Sequence, residues 1–137
     1  MPNALFLLDP VDSLSLKKDS TLAMIRAAQA RGWDLSVMEQ RDMLLLENKV
    51  QGVTRTFRLA EAFAATMNPK DAPEDWYIAG EAEQQDLTNF DVVMMRKDPP
   101  FDMEYIYTTY LLERAELAGT LVVNRPASLR DINEKAF

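Results

Sequence analysis

Ala4-Leu5-Phe6-Leu7-Leu8 is a continuous apolar run, closed abruptly by Asp9-Pro10. Alternation would mark a strand with one wet face. An unbroken run marks a strand buried on both faces, as in a parallel sheet covered by helices. A polar loop follows from Val11 to Lys18, and Asp19-Ser20-Thr21 supplies oxygens suited to capping a helix. Leu22, Ile25 and Ala27-Ala28 then mark one helical face, with Gly32 as its stop. Trp33 to Val37 alternates as a second strand. Such strand–helix–strand units cross over right-handed in nearly all proteins.

The middle of the chain changes style. Met43 to Leu46 is apolar, Glu47-Asn48-Lys49 suits a turn, and Val53, Arg55, Phe57 and Leu59 alternate with Thr54, Thr56 and Arg58. This pattern predicts an antiparallel hairpin. Ala60 to Met67 suits a short helix. The Pro-punctuated, acidic stretch to Asp86 suits a long loop, pinned to the core by Trp76 and Tyr77. Asp91 to Met95 returns to a buried strand. Tyr105, Ile106, Thr109, Leu112 and Ala115 or Glu116 then fit a helix, capped by Asp102 and stopped by Gly119. At least one of Tyr105, Tyr107 and Tyr110 is expected to pack inward, with its hydroxyl at a polar edge. Leu121 to Asn124 is a last buried strand, and Ser128 to Phe137 begins as a helix. The expected fold is α/β: an open, mostly parallel, Rossmann-like sheet with helices on both faces and an added hairpin.

The 137 residues suit one domain with its own core, and 47% hydrophobic with 27% charged residues is ordinary globular usage. A net charge of −7 argues against broad nucleic-acid binding. Cysteine and histidine are absent, which excludes disulfides, thiolate zinc sites and Ser-His triads within the chain. No run approaches the ~20 apolar residues of a membrane span, and the start lacks a signal-peptide pattern. The expected location is cytoplasmic.

Two loops carry candidate chemistry, and both follow buried strands. Ligands of open α/β sheets bind outside the strand carboxyl ends. The first loop holds Lys17, Lys18, Asp19 and Ser20 ahead of a helix N-terminus, which attracts anions. It has no glycine, so it is neither a Walker loop nor a dinucleotide turn. Side-chain contact to a carboxylate suits it, and so does plain capping. The second loop is MRKDPPFD, Met95 to Asp102. Pro99 and Pro100 stiffen it, holding Arg96, Lys97 and Asp98 at low entropic cost. Arg96 offers a planar fork for a carboxylate. The same charges would also serve to tie the strand end to a neighbouring loop. The acidic run from Glu74 to Asp86 suits a solvated face, and Met24, Met94 and Met95 suit core filling.

These pieces resemble the N-terminal domain of prokaryotic glutathione synthetase, an ATP-grasp ligase. The resemblance rests on Asp9-Pro10, KKDS (Lys17–Ser20), MRKDPPFD, LERAE (Leu112–Glu116), GTLVVNRP (Gly119–Pro126) and SLRDINEK (Ser128–Lys135). The match is poorest from Ala60 to Thr88. It implies a pre-ATP-grasp, substrate-side domain over 1–127 and, over 128–137, the start of a linker into a missing C-terminal ATP-grasp domain. The family joins γ-glutamylcysteine to glycine with ATP and Mg2+ through an acylphosphate, and its members form symmetric homo-oligomers. Lys17, Lys18, Asp19, Ser20, Arg96, Lys97 and Asp98 would then bind substrate, and Lys135 would reach the ATP phosphates. A truncated piece would be inactive by itself and would hold neither ATP nor Mg2+. Other readings are the N-terminal domain of another ATP-grasp amino-acid ligase, or a stand-alone flavodoxin-like binding module.

Overall fold

The structure, a computed structural model, describes residues 2–13, 20–68, 70, 74–96 and 103–123. Four parallel strands form its centre: β1 (Asn3–Leu7), β2 (Asp34–Met38), β7 (Val92–Met95) and β8 (Leu121–Val123). β1 pairs with β2 on one side and β7 on the other, and β8 follows β7. The unbroken apolar run of β1 divides its side chains between two cores. Ala4, Phe6 and Leu8 pack with Leu22, Ile25 and Ala28 of α1 (Ser20–Ala30). Leu5 and Leu7 pack with Leu111, Leu112 and Ala115 of α3 (Met103–Leu117). One helix therefore covers each face, which is why every residue of the run is apolar.

Both helix stops fall at glycines with left-handed backbone, Gly32 at φ 79° and Gly119 at φ 111°. The peptides beyond them fold back onto the last turn, with Trp33 N–H donating to Ala28 and Thr120 N–H to Ala115.

The antiparallel part is larger than the expected hairpin. β3 (Met43–Leu46) and β4 (Lys49–Leu59) are joined through Glu47 and Asn48, both at positive φ, as a two-residue hairpin turn requires. β4 then pairs antiparallel with β2 through Thr56 and Arg55, joining the hairpin to the parallel centre. Its other partners come from the stretch expected to be a loop. β5 (Tyr77–Ala79) pairs with Phe57–Leu59, and β6 (Glu83–Asp86) pairs with Gln51–Thr54. The long-loop expectation over this stretch is thus corrected. Both strands are short, and β6 is polar throughout; β4 supplies the edge that holds each of them. α2 (Glu61–Thr66) occupies the expected place and buries Phe63. Trp76 and Tyr77 do pin this region: Trp76 meets Phe57 and Phe63 edge-to-face at 6.4 and 5.7 Å, and Tyr77 stacks on Phe57 at 5.3 Å.

α3 buries Thr108, Thr109, Leu111, Leu112 and Ala115. Tyr107 and Tyr110 face outward instead, because the helix has only one side toward the sheet and aliphatic and threonine side chains fill it. Met95 is buried, and Met24 and Met94 pack against the core as expected.

Candidate functional site

From β1 the chain passes through α1 to β2 on one flank, while β7 lies on the other flank of β1. The helices that follow β1 and β7 lie on opposite faces, so the carboxyl ends of these two strands form a topological switch point. Open α/β sheets bind their ligands at such a switch point. Both candidate loops leave the sheet at this switch point. Leu7 and Met95 are paired neighbours, and Arg96 N–H extends the ladder by donating to the Leu7 carbonyl at 2.8 Å.

Arg96 is the described residue that links the two loops. Its Nε donates to Thr21 Oγ1 at 3.2 Å, across 75 positions of sequence. Thr21 lies in the first turn of α1 and is buried. The contact sets the guanidinium beside the helix N-terminus, where the peptide dipoles are also positive. A guanidinium offers a carboxylate a planar fork, and helix N-termini also favour anions. The arrangement is chemically suited to binding an anion rather than to proton transfer. Ser20 begins α1, beside the same switch point. Lys17, Lys18, Asp19, Lys97, Asp98 and Lys135 lie outside the described residues, as does the Asp102 cap. Thr21 was legible in the sequence only as a capping residue, since nothing local signals a partner 75 residues away.

A cleft of about 260 Å3 continues the edge toward β2 and β4 and takes in Pro10, Asp12, Glu39, Arg41, Arg55 and Tyr77. Its polar groups hold one another. Tyr77 hydroxyl donates to Asp12 Oδ1 at 3.1 Å, Arg55 Nη1 donates to the Gly80 carbonyl at 3.2 Å, and Arg41 pairs with Glu39 at 3.6 Å. Glu39 N–H donates to Asp42 Oδ2 at 3.0 Å, fixing the turn after β2. Burial, and then the Asp12 carboxylate, push the Tyr77 hydroxyl above its ordinary pKa, so it stays a donor through the neutral range. A roomier opening of about 540 Å3 includes Asn3 and Asp34, at the amino ends of the strands and away from the switch point. Among the described residues, no group of three or more carboxylates converges to hold a metal ion.

An open, mostly parallel α/β sheet with two strand exits at its switch point defines the architectural class. The chain belongs to the prokaryotic glutathione synthetase N-terminal domain family, whose model matches residues 3–130. It is 52% identical over 130 residues to a glutathione synthetase of Pseudomonas putida, covering 95% of this chain and 38% of that protein. The glutathione synthetase of Pseudomonas syringae pv. tomato is likewise 52% identical, and that of Escherichia coli strain K12 is 45% identical, each over the same shares. The chain thus spans well under half the length of the curated relatives it matches.

Proposed function

We propose that this domain is the substrate-side part of a glutathione synthetase. In the whole protein, ATP phosphorylates the cysteinyl carboxylate of γ-glutamylcysteine, releasing ADP. The glycine amine then attacks the acylphosphate carbonyl, forming the peptide bond and expelling phosphate. ATP and Mg2+ supply phosphoryl transfer and charge neutralisation, and both belong to the ATP-grasp part of the longer protein. This domain contributes one wall of the cleft. Arg96, set by Thr21, attracts a dipeptide carboxylate at the β1/β7 switch point. Lys17, Lys18, Asp19, Ser20, Lys97 and Asp98 complete the substrate side, and Lys135 approaches the nucleotide phosphates. The protein works in the cytoplasm as a symmetric homo-oligomer. Among the described residues, no helix is long and apolar enough to cross a membrane.

The observation that carries this reading is the Arg96–Thr21 contact at the switch point, in a chain of this family. The test is steady-state kinetics of the full-length protein with Arg96→Ala. The KM for γ-glutamylcysteine should rise about tenfold or more, the equivalent of one charge-assisted hydrogen bond, with a much smaller change in the KM for ATP. Unchanged dipeptide kinetics with lowered thermal stability would give Arg96 a purely structural role. The 137-residue chain alone should form no glutathione.

A further inference from the structure

Two side chains from distant parts of the sequence hold the chain on either side of the first candidate loop. At the α1 end, Arg96 Nε donates to Thr21 Oγ1 at 3.2 Å. At the β1 end, the short 3-10 turn Val11–Ser13 carries Asp12. Its Oδ1 accepts from the Tyr77 hydroxyl at 3.1 Å, across 65 positions of sequence. Between these two anchor points the sequence runs through Lys17, Lys18, Asp19 and Ser20, the proposed substrate residues.

Tyr77 offers its hydroxyl from a rigid base. It opens β5, paired with the buried Leu59 of β4, and Ala60 N–H donates to the neighbouring Trp76 carbonyl at 2.8 Å. Its ring stacks on the buried Phe57 at 5.3 Å and 21°, and Trp76 meets it edge-on at 4.7 Å. A ring packed in this way has little rotamer freedom left to lose when its hydroxyl makes a bond. The raised pKa of that hydroxyl keeps it a donor. Across the contact, Val11 packs against the apolar cluster that contains Phe57, while Asp12 is exposed and takes its orientation from the phenol. Phenylalanine would serve the packing equally well. The hydroxyl alone reaches the β1 exit, at the carboxyl end of the sheet.

We infer that Tyr77 is a positioning residue for the dipeptide: through Asp12 it fixes the chain leaving β1, and with it the substrate side of the switch point. The inference rests on the proposed function and adds to it a residue from the stretch where the family resemblance is poorest. A chain exit fixed before the substrate arrives removes an ordering cost that binding would otherwise carry. Tyr77 acts through Asp12 and not on the reacting atoms, so its hydroxyl should govern how tightly the dipeptide is held rather than the turnover of the bound complex.

Steady-state kinetics of the full-length protein test it. Tyr77→Phe keeps the ring and removes the donor. The KM for γ-glutamylcysteine should rise about fivefold, the equivalent of one ordinary hydrogen bond, with kcat and the KM for ATP within about twofold of wild type. Asp12→Ala should give the same rise, and the double variant should be no worse than either, because the two side chains act through one contact. Asp12→Asn keeps an Oδ1 acceptor and should bring the dipeptide KM back toward that of wild type. An unchanged dipeptide KM in Tyr77→Phe overturns the inference, whatever happens to the melting temperature. So do additive effects of the two single variants. An Asp12→Asn variant as impaired as Asp12→Ala also overturns it, because the charge of Asp12 would then serve the site without Tyr77. Arg96→Ala separates this inference from the reading beneath it. If Arg96→Ala raises the dipeptide KM and Tyr77→Phe does not, the positioning role alone falls. If neither raises it, the reading of the switch point falls and the inference with it.

Discussion

Replacing Gln29 with methionine should destabilise the domain far more than its partly exposed position suggests. β2 begins at Asp34, so the antiparallel neighbour of β4 runs out before β4 ends at Leu59. Gln29 stands in the gap. Its Nε2 donates to the Leu59 carbonyl at 3.1 Å, and its Oε1 accepts from the Leu59 N–H at 2.7 Å. One side-chain amide thus exchanges both bonds with a residue, as a paired strand residue would. Methionine keeps the length, volume and helix propensity but offers no comparable donor or acceptor. Two hydrogen bonds at about 1 kcal/mol each set a floor of roughly 2 kcal/mol. Leu59 is fully buried, so its stranded peptide groups add a desolvation cost that brings the loss to about 2–4 kcal/mol. For a domain of this size that is roughly a 10 °C fall in melting temperature. Urea unfolding followed by circular dichroism measures it, with the midpoint falling at unchanged slope. A loss under about 0.5 kcal/mol would refute the reasoning, because it would mean that water replaces the amide at no cost.

Two further outcomes concern titration. Thr88 N–H and Oγ1 both donate to Asp86 Oδ1, at 2.9 and 2.8 Å, and the N–H contributes most to holding this carboxyl below its ordinary pKa. The stability it adds is present above the unfolded carboxyl pKa and is lost as pH falls through the lower folded value. Asp86→Ala should therefore cost about 1 kcal/mol at neutral pH, a typical cap loss, with the difference from wild type vanishing in strong acid. Tyr77 is displaced the other way. Its contribution is complete below the ordinary tyrosine pKa and is lost as pH rises through the higher folded value. Alkaline melts of wild type should fall more steeply than those of Tyr77→Phe; parallel curves would argue against the Asp12 contact.

The parallel centre was legible because its physics is local and redundant. Five apolar residues in a row at β1 admit few other placements, and Gly32 and Gly119 mark their helix ends by a backbone need that few other residues meet. β5 and β6 were not legible. Glu83-Gln84-Gln85-Asp86 has neither alternation nor β-branched residues, and it is a strand only because β4 presents a free edge to it. The site divided along the same line. That two strand exits carry charged, stiffened loops is visible in the residues, but that Arg96 reaches Thr21 depends on the order of strands. Gln29 was missed for the same reason, since a polar residue near a helix end usually signals only solvent. On α3, Tyr107 and Tyr110 face outward because aliphatic and threonine side chains fill the core face, and the side chain of Tyr105 lies outside the described residues.

The pairing of β1 with β7 also constrains how the chain is made. Ala4 lies against Val92, whereas β4 finds β3 across a two-residue turn. The hairpin can close as soon as its residues exist, but the switch point beside Arg96 requires one of the longest loop closures in the domain. During synthesis from the N-terminus, β1 must wait with one edge bare until β7 emerges. The proposed ligand edge is then among the last features to form, and an interrupted chain would present an apolar strand edge where the proposed binding site should be.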